Sequence, residues 1–211
     1  ILVGLAFLSI CAFWQMYDNI VPLILTKTFH MNETFSGAIM AADNILALFL
    51  LPFFGSVSDK SHSKLGKRMP FILFGTGCAI ILMNILPLLD NSYAAQPSGF
   101  KTASFVIVLG LLLVAMGTYR APAVALMPDV TPKPLRSRAN AIINLMGAVG
   151  GILYLGVAAV LYPNSKTAGL DHVNYQPLFI VVSAIMFVAV AVLFLTIREP
   201  KLTAENQALE K

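Results

Sequence analysis

Three ionisable residues, Asp18, Asp43 and Arg120, stand inside long apolar runs. At the centre of a membrane-spanning helix each costs about 2.5–3.5 kcal/mol on the insertion scale. A chain keeps such groups where they pair, face water or bind something. Two acids and one guanidinium leave one carboxylate less well paired, and desolvation and repulsion suit that acid to carry a proton. Asp18 fits this role, because Trp14 and Gln15 lie beside it, and Asp43 is then the standing partner of Arg120. Trp14, Gln15, Asp18, Asn19 and Pro22 share one helix face by their i, i+3, i+4 and i+7 spacing. An aromatic plane beside carboxylate and amide groups suits a sugar, which offers C–H faces and many hydroxyls. Two plainer readings compete: a charge cluster that only locks helices together, and a tryptophan that only packs.

A second arc carries Asn140, Asn144, Gly147, Gly151 and Tyr154. Gly147 and Gly151 form a G-x-x-x-G that lets a neighbouring helix approach closely. Asn144 and Tyr154 are candidates for a polar cavity. Pro122 and Pro128 are expected to interrupt the fourth span around Arg120, since each removes a backbone donor and tends to kink a helix.

Elements that can hold these groups follow from composition. The 211 residues are 58% hydrophobic and 11% charged, with a mean hydropathy of +0.81; soluble domains carry about 25% charged residues. Lipid is therefore the expected solvent, and the net charge of +4 is no sign of a nucleic-acid partner. Cys11 and Cys78 lie in apolar runs without metal spacing. Six stretches reach the ~20 apolar residues that a span needs: about 1–26, 35–57, 70–89, 102–127, 139–162 and 176–197. Polar links such as Asp90-Asn91-Ser92 and Pro163-Asn164-Ser165 separate them. The expected fold is all-α and membrane-embedded, with a transmembrane domain over 1–197 and a cytoplasmic linker over 198–211. The chain starts at Ile1, inside an apolar stretch, and reads as a fragment.

Orientation follows from the basic residues. Lys60, Lys64, Lys67, Arg68, Lys133, Arg136, Arg138, Arg198, Lys201 and Lys211 lie on one side, against Lys27, Lys101 and Lys166 on the other. The richer side, with both chain ends, is expected to be cytoplasmic. At ~1.5 Å per residue, Asp18, Asp43 and Arg120 all fall near the midplane. Spans 1–3 and 4–6 can form an inverted pair of three-helix repeats.

The link after span 2 runs from Gly55 through Asp59 and Lys60 to Gly66-Lys67-Arg68-Met69-Pro70. A glycine four residues before an aspartate, then a short basic loop, resembles the helix 2–3 signature of the major facilitator superfamily. The resemblance makes Gly55, Asp59, Lys60, Gly66, Lys67 and Arg68 a conformational latch. It implies that Gly55 packs against the other half and that Asp59 meets the positive end of a helix there. The trailing Pro-Phe-Ile-Leu, Tyr119-Arg120-Ala-Pro122 with Pro128-Asp129, and Arg136-Ser-Arg138-Ala-Asn140 resemble the glycoside–pentoside–hexuronide:cation symporters, especially the sucrose-type proton symporters. This implies the N-terminal half of a twelve-helix cell-membrane transporter, with a sugar and a proton as partners, no cofactor and no metal. In melibiose-type members the sodium-site acids align on Ala47, Leu51 and Arg120 here. Arg does not lose its proton in proteins, so proton coupling is expected in place of sodium. Two alternatives stay open, a facilitator or exporter of another polar solute, and a six-helix scaffold without transport. Enzyme chemistry is not expected, since His30, His62 and His172 sit in links on different sides.

Overall fold

The computed structural model describes residues 2–209. Ile1, at the start of the expected first span, and Glu210 and Lys211, in the tail, lie outside the described residues. The elements are α1 (Leu2–Leu23, continued by a π-turn Ile24–Thr28), α2 (Glu33–Asp59), α3 (Met69–Ala95), α4 (Gly99–Asp129), α5 (Arg136–Leu161), a short α6 (Asn164–Thr167), α7 (Gln176–Thr196) and α8 (Glu199–Leu209). Six of these helices are long and apolar enough to cross a membrane. The π-turn follows Pro22, which lies inside α1 and brings no N–H to the ladder.

Helix boundaries depart from the apolar runs in two places. α3 continues through Asp90-Asn91-Ser92, where a link was expected, and ends at Ala95. Its last turns are held by tertiary contacts. Asp90 is buried, and Lys101 Nζ donates to the carbonyls of Ser92 and Gln96. α4 runs unbroken past Pro122 to Asp129, so the prolines do not interrupt it.

Helix pairing shows how the bundle is built. The principal contacts are α3 with α4, α1 with α5, α1 with α7, α2 with α4, and α3 with α7. Exchanging α1-α2-α3 for α4-α5-α7 turns α1–α5 into α4–α2 and α3–α4 into α7–α1. It maps α3–α7 onto itself. Each principal pair therefore has its mate, as two repeats related by a two-fold axis require. A repeat of three spans ends on the side opposite to its start, so the second repeat is inverted.

Glycines set the closest crossings. A Cβ on Gly150 would lie 2.0 Å from the carbonyl oxygen of Leu8, and one on Gly147 2.9 Å from Cys11 Sγ. Gly75 meets the backbone of α4 in the same way, 2.7 Å from Tyr119 N. The G-x-x-x-G of α5 thus lies on its α1 contact, with Gly150 at the tightest point. α2 stays on the outside, with Phe35, Ile45, Leu48, Phe49 and Phe53 exposed.

Candidate functional site

α1, α2 and α4 bring Trp14, Asp43, Gly117 and Arg120 to one narrow cleft, closed by Leu46, Ala47, Leu50, Leu51 and Leu113. Its volume of about 20 Å³ is room for about one water. Glycine at 117 keeps the wall thin, since a Cβ there would come 3.3 Å from Leu50. The Arg120 guanidinium carbon lies 5.7 Å from the Trp14 ring centroid, a cation–π distance. Trp14 is braced edge-on by Phe13 and Tyr17, both with ring centroids 5.3 Å away. The buried Trp14 Nε1 and Tyr17 hydroxyl have no hydrogen-bond partner.

The two acids stand apart from the arginine. Among the described residues, no ion pair within 4.0 Å joins Arg120 to Asp18 or Asp43. Asp43 Oδ1 instead accepts from the backbone N–H and side-chain amide of Asn44, at 2.6 and 2.9 Å. Arg120 rests on Trp14 and not on its expected standing partner, because the flat indole face is the surface that α1 turns towards α4. Asp18, Gln15 and Asn19 are exposed on α1, and Asn19 Nδ2 donates to the Gln15 carbonyl at 2.6 Å.

Neither candidate on α5 reaches the cleft. Tyr154 is buried in the packing face of α5, and Asn144 is exposed. Among the described residues no three His, Cys, Asp or Glu side chains come together as a metal site.

A second cluster closes the end of the bundle that carries the basic loop. Arg68 is buried and spends its guanidinium on four partners. Nε donates to Asp129 Oδ2 at 2.9 Å, Nη1 to Ser58 Oγ at 2.5 Å and to the Gly55 carbonyl at 3.3 Å, and Nη2 to Asp59 Oδ1. Asp59 thus pairs within its own half. Gly55 has nothing within 4 Å of a would-be Cβ, and Lys60 and Lys67 are exposed.

Behind the loop, the buried Glu199 carboxylate accepts the backbone N–H groups of Lys67 (2.7 Å), Arg68 (2.9 Å) and Met69 (2.8 Å). It caps the N-terminus of α3, where free donors and the helix dipole favour an anion. Gly66 is at φ +111°, and a Cβ there would lie 2.3 Å from Glu199 Oε2. Asn206 Nδ2 reaches the carbonyls of Pro128, Asp129 and Thr131 at 3.1–3.4 Å. The segment after the sixth span is therefore a docked helix. Sequence reasoning gave no role to Asp129 or Glu199. The signal within reach was Pro70 behind Gly66-Lys67-Arg68-Met69, which marks a helix start with donors to fill.

The family model of the Major Facilitator Superfamily matches residues 3–211. The chain belongs to that superfamily. A major facilitator is a membrane transporter, which sets enzyme chemistry aside. Sucrose transport protein SUC3 of Arabidopsis thaliana is 35% identical over 145 residues, covering 63% of this chain and 24% of that protein. Sucrose transport protein SUT3 of Oryza sativa subsp. indica is 36% identical over 123 residues, 52% of this chain and 24% of the relative. Solute carrier family 45 member 3 of Homo sapiens is 25% identical over 186 residues, with 86% and 34% covered. This major facilitator chain spans about a quarter of the length of the sucrose transport proteins it matches. No solved structure matches it.

Proposed function

We propose that the chain is the N-terminal half of a proton-coupled sugar symporter that works by alternating access. The observation that carries this reading is Arg120 held over Trp14 in a cleft shared with Asp43, without an ion pair to fix it. A guanidinium stands where related sodium symporters place an acid, and a permanent cation there disfavours a second cation. The exposed Gln15, Asp18 and Asn19 and the unpartnered Trp14 N–H supply donors and acceptors for sugar hydroxyls, with the indole face for C–H groups. Asp18, half outside the bundle, is the proton carrier. Asn144 and Tyr154 are second-rank substrate contacts, reached only if α5 moves against α1. Names of the plant relatives support sucrose or a similar disaccharide as the solute.

In this reading a second six-helix half completes the cavity, and Gly55 and the exposed face of Asp59 meet it. Latch residues Lys60, Gly66, Lys67 and Arg68 then rearrange as the halves rock. The basic end faces the cytoplasm of a cell membrane by the positive-inside rule.

Uptake of labelled disaccharide into vesicles carrying the full-length protein tests the reading. Uptake should follow a proton gradient, collapse with a protonophore and ignore sodium. Sodium-dependent, protonophore-resistant uptake overturns it. The Asp18→Asn variant mimics the protonated acid, so it should bind and exchange sugar while losing accumulation against a gradient. The tightness of the cleft favours a second reading, a facilitator with a structural charge cluster; sugar uptake without proton flux would select it.

A further inference from the structure

At the end of the bundle opposite the basic loop, Asp90 is wholly buried near the end of α3, and neither carboxylate oxygen has a hydrogen bond of good geometry. An ionised carboxylate in that state is unfavourable unless a cation compensates it. The cation within reach is His172, whose Nε2 lies 3.8 Å from Asp90 Oδ2, and the Thr28 hydroxyl also lies beside the carboxylate. His172 sits in the loop before α7 and is 26% exposed.

The surrounding hydrogen bonds fix how the imidazole is used. Asn91 Nδ2 donates to Asn174 Oδ1 at 2.9 Å, which turns Asn91 Oδ1 towards His172 Nε2, 2.8 Å away. An amide oxygen only accepts, so Nε2 carries a proton. Nδ1 faces the Thr28 hydroxyl at 3.3 Å. That hydroxyl donates to a neutral ring and accepts from a charged one, so both ring states are satisfied. Two arrangements leave no bare charge inside: carboxylic acid with neutral imidazole, or carboxylate with imidazolium. They differ only in where one proton sits.

We propose that Asp90 and His172 form a one-proton site, and that the proton held there keeps the end of α1, the end of α3 and the loop before α7 tied together. Losing it leaves a buried carboxylate beside a neutral ring, which is relieved only when the Thr28–His172–Asn91 chain opens and water enters. The water is at hand, because Thr28 and His172 line an outer cleft of about 410 Å³. Other titratable groups around the pair are Lys27 and His30 after α1, Tyr93 on α3, Asp171 beside His172, and Tyr175 before α7. Burial and the Asp90 charge both push the Tyr175 phenol up, so it stays neutral and does not compete. Thr28 lies ten residues beyond Asp18, roughly 15 Å along the helix, which separates this site from the central cluster. The proposal does not rest on sugar transport or on the coupling ion.

Hydrogen exchange of the full-length protein tests it, read in peptides covering residues 24–31 and 168–176 and corrected for intrinsic rates. In the wild type the opening constant should rise with pH from the titration of the opened site up to that of the closed site, by roughly tenfold per pH unit for one proton released on opening. Asp90→Asn cannot ionise, so its protection should stay at the acid-side level throughout. His172→Gln removes the compensating cation, and its opening should begin at lower pH. Asp43→Asn should keep the wild-type response. A flat wild-type profile, or a wild-type slope retained in Asp90→Asn, overturns the proposal. Should Asp90→Asn fail to fold, His172→Gln decides, and an unmoved midpoint overturns it.

Discussion

Arg68, at the basic end, pairs with two aspartates, whereas Arg120, near the middle of the bundle, has Asp18 and Asp43 in its region and pairs with neither. At the basic end the guanidinium is saturated by two carboxylates, a serine hydroxyl and a carbonyl, with 7% of the side chain exposed. In the middle it makes no ion pair with either acid and leans on an indole face. Water is scarcer at mid-membrane, so a purely structural arginine would need its partners more there. On the proposed reading, the inversion separates a fastening from a working group. Arg68 is tied within its own half, whereas Arg120 is, on that reading, the group that exchanges partners when a solute or proton arrives.

Substitutions at three positions of the full-length protein would break or sharpen this contrast. The largest effect is expected for Arg120→Ala, with sugar uptake falling about a hundredfold, equivalent to roughly 2.7 kcal/mol on the transport barrier. Its unfolding free energy in detergent should change by less than about 1 kcal/mol, the scale of one cation–π contact. Arg68→Ala should reverse the balance. It strands Asp129, Ser58 and Asp59, and since Asp59 is largely exposed the expected loss is about 2 kcal/mol, read by denaturant unfolding, with Arg68→Lys recovering part. If Arg120→Ala unfolds more readily than Arg68→Ala, the two roles are wrongly divided. Glu199→Gln should have the smallest effect, about 1.5 kcal/mol, since the amide oxygen still accepts while the charge is gone and the amide NH2 leaves one backbone N–H without its acceptor. A loss as large as that of Arg68→Ala would place the anchor of the basic end on Glu199.

Much of the fold was legible because lipid as solvent demands long apolar runs, and six are plain in the sequence. The last turns of α3 were not, since Asp90-Asn91-Ser92 has the composition of a turn and only distant partners make it helical. Spacing found Gly147 and Gly151 on the right face of α5. Only the actual crossing with α1 shows that Gly150, outside the motif, touches the Leu8 backbone. In the candidate site, pattern and charge brought Trp14, Asp43 and Arg120 forward, and all three line one cleft. Pairing rules based on charge alone then joined Arg120 to an acid, while the geometry sets it on an aromatic ring. Asn144 and Tyr154 do not line that cleft for a related reason, since helical spacing fixes a face but not what that face meets.

The cap on α3 is made by a residue more than a hundred positions further along the chain. During synthesis, segments nearer the N-terminus acquire structure first. The third span therefore enters the bilayer with its leading N–H groups uncovered and Gly66 already in its left-handed turn or still seeking it. Only when the ribosome has passed the sixth span does the carboxylate of Glu199 become available to close that end. The half is sealed by its own late-arriving tail, so a nascent chain halted before residue 199 should keep the loop after the second span open to protease.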